Sequence, residues 1–276
     1  MIDQIVFGTR GSPLALYQTN RVINKLKSLY PHLSYKRKII ETQGDRDQDS
    51  SLTLTEELGL FSSEIQSELV KNNIDAAVHS LKDVPVEYSK YLFLAAIPER
   101  VDAKDILYHP EGLNINELPT GSVVGTCSLR RKGQIRNLRK DIVIKDIRGN
   151  IQTRIDKVHL GEYDAIILAA AGLIRLEMPE RIQEFIEPEV MLPANGQGAV
   201  GIECRTTDDA LKALLAPLGC ETTRIRVLAE RAMNRALEGG CQVPIGSYAV
   251  IQENGEMFLR GLVGATDGSE ILTSEI

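Results

Sequence analysis

Apolar positions along the chain recur in two periods, and their alternation lays out a run of strand and helix units. Ile5-Val6-Phe7 reads as a short buried strand, and Leu14 to Leu29 has helical spacing. Ser12 is placed to cap that helix, with Pro13 at its first position. Tyr35 to Glu41 alternates as a second strand, whereas the polar run from Thr42 to about Glu57 has no apolar period and reads as a loop, either a lid or plain disorder. Phe61 to Val70 predicts a helix, and Ile74 to His79 and Tyr91 to Ile97 predict strands. Pro98 to Lys104 then reads as a crossing into a second domain.

That domain repeats the device. Strand Ser122 to Gly125 leads through Thr126-Cys127-Ser128 into a helix from Leu129 to Leu138. Ile142-Val143-Ile144 leads through a turn at Asp146 to Asn150 into a helix from Ile151 to Leu160, and Asp164 to Ala169 is a central strand. Met191 to Gly198 reads as a second crossing, returning the chain to the first domain through strand Ala199 to Cys204. A helix from about Cys220 to Leu237 and strands Gly246 to Gln252 and Met257 to Val263 predict a small third domain. A sheet covered by one helix usually wants another element, so this domain looks short and the C-terminus is expected to be truncated. The boundaries expected are 1–99 with 195–217, then 103–192, then 220–276.

Composition narrows the class. At 276 residues, with 43% hydrophobic and 25% charged residues, the chain fits two or three globular domains. Met1 to Phe7 lacks the basic start and apolar core of a signal peptide, and no apolar run reaches the ~18 residues that span a bilayer, so a cytoplasmic location is expected. Cys127, Cys204, Cys220 and Cys241 are scattered without CxxC spacing, and the four histidines are equally dispersed. Neither a metal site nor a structural disulfide is expected.

A net charge of -6 argues against nucleic-acid and anionic-membrane partners, yet nine cationic residues lie between Arg130 and Arg154 against only Asp141 and Asp146. Such a concentration suits a small polyanion. Three strand-to-helix turns carry arginine: Arg10 beside Ser12, Arg130 and Arg131 after Ser128, and Arg148 and Arg154 around Asn150. Cations in the first turn of a helix oppose its dipole, so an anion held between the two explains Arg130 and Arg131 better than chance. Arg175, after the central strand, is placed to line the same mouth. Lys82 and Asp83 stand at a strand's carboxyl end, where ligands gather in open α/β sheets; the plainer reading is a surface ion pair. Cys241, after Gly239-Gly240 and before Pro244, belongs to a tight loop, either as a presented nucleophile or as a small buried hydrophobe.

Val78-His79-Ser80-Leu81-Lys82-Asp83-Val84-Pro85, Gly125 to Arg131, Ile147 to Asn150, Leu192 to Gly198 and Leu237 to Gly246 together closely resemble the porphobilinogen deaminase family, in the same order over nearly the whole length. The resemblance implies an α/β fold of two doubly wound lobes of the periplasmic-binding-protein type, joined by two crossings, with a small α+β third domain. It implies a dipyrromethane cofactor held by a thioether to Cys241, onto which four porphobilinogen units are condensed head to tail with loss of ammonia before water releases the linear tetrapyrrole. By the same resemblance Asp83 is catalytic, stabilising cationic azafulvene and protonated pyrrole intermediates. Ser80, Lys82, Asp83, Thr126, Ser128, Arg130, Arg131 and Arg154 would hold the cofactor, and Arg10, Ser12, Arg148 and Arg175 the incoming substrate and growing product. A monomer is expected. Glu56-Glu57-Leu58-Gly59-Leu60-Phe61 departs from the family's Gly-Gly-Lys-Gly-Leu-Phe run by lacking its lysine. A non-catalytic two-lobed anion-binding module is the alternative, because such a protein also needs arginines in a cleft.

Overall fold

The computed structural model describes residues 2–46, 62–87, 89–238 and 243–276. Cys241 and the segment 47–61, which holds most of the expected lid and the lysine-lacking run, lie outside the described residues.

The first sheet joins β1 (Gln4–Thr9), β2 (Ser34–Ile39), β3 (Ala76–Ser80), β4 (Leu92–Ala96) and the late strand β10 (Val200–Arg205), in the order β2-β1-β3-β10-β4. β1 runs parallel to β2 and β3, and β10 runs antiparallel to β3 and β4. Helices cover both faces. α1 (Pro13–Leu29) and α7 (Asp209–Leu215) bury Val22, Ile23, Leu26, Leu211 and Leu215 against Ile5, Phe7 and Ile202. On the other face α3 (Ser63–Val70) buries Ile65 and Leu69 with Ile74 and Ala77. The expected loop from Thr42 is helical over α2 (Gln43–Arg46).

The second sheet comprises β5 (Asp105–Tyr108), β6 (Val123–Gly125), β7 (Val143–Lys145), β8 (Ala165–Ala169) and β9 (Phe185–Ile186), in the order β7-β6-β8-β5-β9. α4 (Leu129–Leu138) packs Ile135 on one face, while α5 (Ile151–His159) and α6 (Ala170–Arg175) bury Ile155, Val158 and Leu173 on the other. β5 and β9 were not anticipated. β5 is antiparallel to both β8 and β9, and its four residues are too few to show a period.

The crossings lie against each other. Gly198 has φ +83°, and a Cβ there would sit 2.6 Å from the Val101 carbonyl oxygen, so only glycine lets the two strands of the hinge touch. α8 (Glu221–Ala236) then covers a three-stranded antiparallel sheet of β11 (Ile245–Ile251), β12 (Met257–Gly264) and β13 (Ile271–Glu275). Buried Glu230 on α8 accepts from both Arg100 Nη atoms at 2.6 and 3.1 Å, from Gly196 N at 2.7 Å and from Ala249 N at 3.0 Å. One carboxylate thus ties both crossings to the third sheet. Arg231 donates to the Val84 and Pro85 carbonyls at 3.0 and 2.5 Å, and Arg136 of α4 donates to the Thr266 carbonyl at 3.0 Å. The third unit therefore braces both lobes. Among the described residues no helix is long and apolar enough to cross a membrane, and no cluster suits a metal.

Candidate active site

β3 delivers the first wall of the interlobe cleft. Its last residue, Ser80, has its hydroxyl held by Gln18 Nε2 of α1 at 2.9 Å, and the next three residues form a single 3-10 turn, Leu81–Asp83. Leu81 is fully buried, and its N–H donates to the Ala199 carbonyl at 3.0 Å. With Leu81 as the inward anchor, Lys82 and Asp83 line the cleft. Burial pushes the Lys82 ammonium down to about 8; the Arg131 charge adds to this, while Asp83 and Asp105 oppose it. Its Nζ lies 3.4 Å from Gln197 Oε1. Ser12 caps α1 through the Ala15 N–H at 3.3 Å, and beside it Arg10 Nε reaches both Asp45 oxygens at 3.1 Å.

The second lobe supplies the opposite wall. Ser128 caps α4 through the Arg131 N–H at 3.4 Å, and Thr126 Oγ1 accepts from the Ser128 N–H at 3.2 Å. The arginines that follow turn inward. Arg130 bonds the Leu192 carbonyl at 2.5 Å and lies 2.8 Å from Asp105 Oδ2; Arg131 bonds the Ile167 carbonyl at 3.1 Å and Asp105 Oδ1 at 2.6 Å. The anion opposite this helix start is therefore the chain's own Asp105. Burial by itself raises the Asp105 pKa, but the two guanidiniums hold the carboxyl far below the usual range.

Asn150 caps α5 through the Thr153 N–H at 2.9 Å, and Arg154 Nε donates back to the Gly149 carbonyl at 2.7 Å. Gly149 adopts φ +113°, a conformation that favours glycine and presents that carbonyl. Arg175, at the end of α6, reaches the Gly198 carbonyl at 2.7 Å, and burial followed by the Arg21 charge lowers its pKa to about 10.

These walls enclose a cleft of about 1030 Å³, lined among others by Arg10, Ser12, Ser80, Lys82, Asp83, Arg131, Arg148, Arg154 and Arg175. Six cationic side chains face three carboxylates, Glu41, Asp45 and Asp83, and Arg10 is committed to Asp45. The remaining balance favours a ligand bearing several carboxylates. Thr126, Ser128 and Arg130 stand behind the wall rather than on it. Sequence reasoning missed three residues: Asp105, Gln197 and Cys127, the last on the cleft wall with Sγ 3.0 Å from the Ile147 carbonyl. Only the mirrored arginine pair, with its unmet need for an anion, pointed toward Asp105.

A family model described as porphobilinogen deaminase, dipyromethane cofactor binding domain, matches residues 5–213, and one for the porphobilinogen deaminase C-terminal domain matches residues 224–276. The chain belongs to the porphobilinogen deaminase family. Members are transferases of porphyrin and haem biosynthesis that carry a dipyrromethane cofactor. In fold the chain is similar to a substrate-binding domain assigned to a molybdenum ABC transporter from Clostridium difficile: 10% identity, TM-score 0.51, 82% of this chain and 96% of that one. An extracellular binding protein of an amino-acid ABC transporter from Bacillus subtilis aligns at 14% identity and TM-score 0.47, over 85% of this chain and 97% of that one. The two five-stranded sheets and the likeness to the Clostridium difficile domain show the two-lobed α/β fold expected from the sequence.

The site fits a dipyrromethane. Nε of Arg131, on the cleft wall, is a buried donor with no partner among the described residues, and the half-buried Lys82 ammonium makes a long contact to Gln197. Buried donors left unpaired are costly, and carboxylate arms are the acceptors such groups lack.

Proposed function

We propose that the chain is a hydroxymethylbilane synthase: it condenses four porphobilinogen molecules head to tail, with loss of ammonia, onto a dipyrromethane joined through a thioether to Cys241, and water releases the linear tetrapyrrole. The observation that carries the reading is the cleft in which Asp83 faces a surplus of cationic side chains across the hinge. When bound, the dipyrromethane supplies the pyrrole terminus to which units are added.

Porphobilinogen loses ammonia as the carbon–carbon bond forms, and the carbon that gains the bond must lose a proton. Asp83 is the carboxylate on the cleft wall suited to stabilise the positive charge that develops and to take that proton. Lys82, Arg131 and Arg154 would hold carboxylate arms of the cofactor, with Ser80 beside them, and Thr126, Ser128 and Arg130 would support the same wall. Arg148, Arg175, Arg10 and Ser12 ring the remaining space and would receive the arms of incoming and lengthening substrate. Arginine forks bind carboxylates bidentately, so they fix ring orientation as well as charge.

Intact-protein mass spectrometry tests the first half: the purified chain should carry the mass of two linked pyrroles, and Cys241→Ser should not. Porphobilinogen-dependent ammonia release tests the second, with Asp83→Asn expected to lower it about 10²–10⁴-fold. An unmodified chain that binds porphobilinogen without releasing ammonia would instead be a two-lobed anion-binding module.

A further inference from the structure

Asp105, the first residue of β5, is fully buried and collects three donors. Arg130 lies at 2.8 Å, Arg131 at 2.6 Å and Gln197 Nε2 at 2.9 Å. Gln197 stands on the second crossing, where its Nε2 also donates to the Ala103 carbonyl at 2.6 Å. Its Oε1 faces Lys82 Nζ at 3.4 Å. A continuous path therefore runs from Lys82 of the first lobe, through the hinge, to the arginine pair of the second.

The charge in this cluster does not close. Two guanidiniums share one carboxylate, and Lys82 adds a third cation beside Asp83. A buried pair kept for stability alone is normally neutral, since each uncompensated charge costs several kcal/mol. Here the surplus lies next to Arg131, whose Nε has no partner among the described residues and whose side chain lines the cleft.

We propose that Asp105 is a positioning residue: its carboxylate fixes the Arg131 fork and, through Gln197, the Lys82 ammonium in the directions that receive a ligand carboxylate, while leaving the cluster one negative charge short of balance. This rests on the synthase reading above. Asp105 touches neither cofactor nor substrate. It acts through the cations that do.

The groups facing Lys82 are Arg130 and Arg131 of α4, which disfavour its charge, and Asp83 of its own turn and Asp105 of β5, which favour it; Gln197 is neutral. Removing the Asp105 charge therefore makes Lys82 lose its proton at lower pH. Asp105→Asn, measured per cofactor-loaded molecule, should raise KM for porphobilinogen about tenfold or more. The alkaline limb of kcat/KM, set by Lys82 near 8 in the parent, should move down by about one unit. Gln197→Met, which keeps the volume but breaks the path, should raise KM with kcat nearly unchanged. Where Asp105→Asn does not accumulate as folded protein, Gln197→Met decides alone.

Unchanged KM and an unmoved alkaline limb in the folded variants, with only a lower melting temperature, would reduce Asp105 to a structural counter-ion and overturn the proposal. If the parent chain itself lacks both the pyrrole mass and ammonia release, the synthase reading is what fails. The two failures are thereby distinguishable.

Discussion

The helix starts of α1 and α4 use one local design and reach opposite ends. Each follows a strand and a tight turn, and each is capped by serine, Ser12 at 3.3 Å and Ser128 at 3.4 Å from the amide it accepts. Arg10 precedes its cap, so its side chain can swing across the rim, where it pairs with Asp45 while about a quarter of each side chain stays in solvent. Arg130 and Arg131 follow theirs, inside the first turn, where the helix fixes their direction toward the hinge. They end 5% and 8% exposed, on backbone carbonyls and Asp105. A shift of a few positions relative to the cap converts a tunable surface charge into a preorganised interior one. The rim can lose its partner cheaply. The interior cannot.

The sharpest way to break this contrast is to delete each carboxylate. Asp105→Ala leaves two buried guanidiniums without a counter-ion and should cost about 3–5 kcal/mol in urea unfolding. Asp45→Ala removes a partner that is about a quarter exposed and should cost about 1 kcal/mol or less. Comparable losses at the two sites would mean that the interior cluster relaxes as freely as the rim.

Much of this contrast could be read from the chain, but not its centre. Ser12-Pro13 and the turn from Thr126 to Ser128 announce two helix starts because capping is local chemistry, and the structure shows Ser12 and Ser128 accepting the amides; Asn150 caps a third start, a role not read from the sequence. Repeated arginine near those caps announced an anion. It did not announce which one: Asp105 opens a four-residue strand, and its partners Arg130, Arg131 and Gln197 lie from about 25 to 92 positions away in sequence, distances that no periodicity spans. The same holds for Arg231 on the Val84 and Pro85 carbonyls and for Glu230 across the hinge, where long-range packing alone chooses the partner. The turn bearing Lys82 and Asp83 was recognisable from its place after a buried strand, whereas the burial that lowers the lysine pKa was not.

Acid separates the two carboxylates next. Both pKa values are lowered: burial opposes the shift in each, with the Arg10 hydrogen bond overcoming it at Asp45 and the paired Arg130 and Arg131 charges at Asp105. A carboxyl whose folded pKa lies below its unfolded value of about 4 stabilises fully above that value and loses the contribution as pH falls through the folded one. The gap in unfolding free energy between parent and Asp105→Asn should stay constant from about pH 6 to 8 and narrow only below about pH 4. For Asp45→Asn the same narrowing should appear with a smaller amplitude. A gap at Asp105 that closes already near pH 6 would show its carboxyl is not held by the arginines.

Salt gives the smallest effect and the cleanest separation. At 1 M ionic strength the screening length falls to about 3 Å, comparable to the Arg10–Asp45 separation and effective because water reaches both groups. The cost of Asp45→Asn, about 1 kcal/mol at most in dilute buffer, should then shrink toward zero. Ions cannot enter around a carboxylate with no exposed surface, so the cost of Asp105→Asn should change little over the same range. Urea unfolding of the two variants and the parent at about 0.01, 0.15 and 1 M salt measures both slopes. Parallel slopes would place solvent around Asp105, and the arginine pair would then be a rim feature like Arg10.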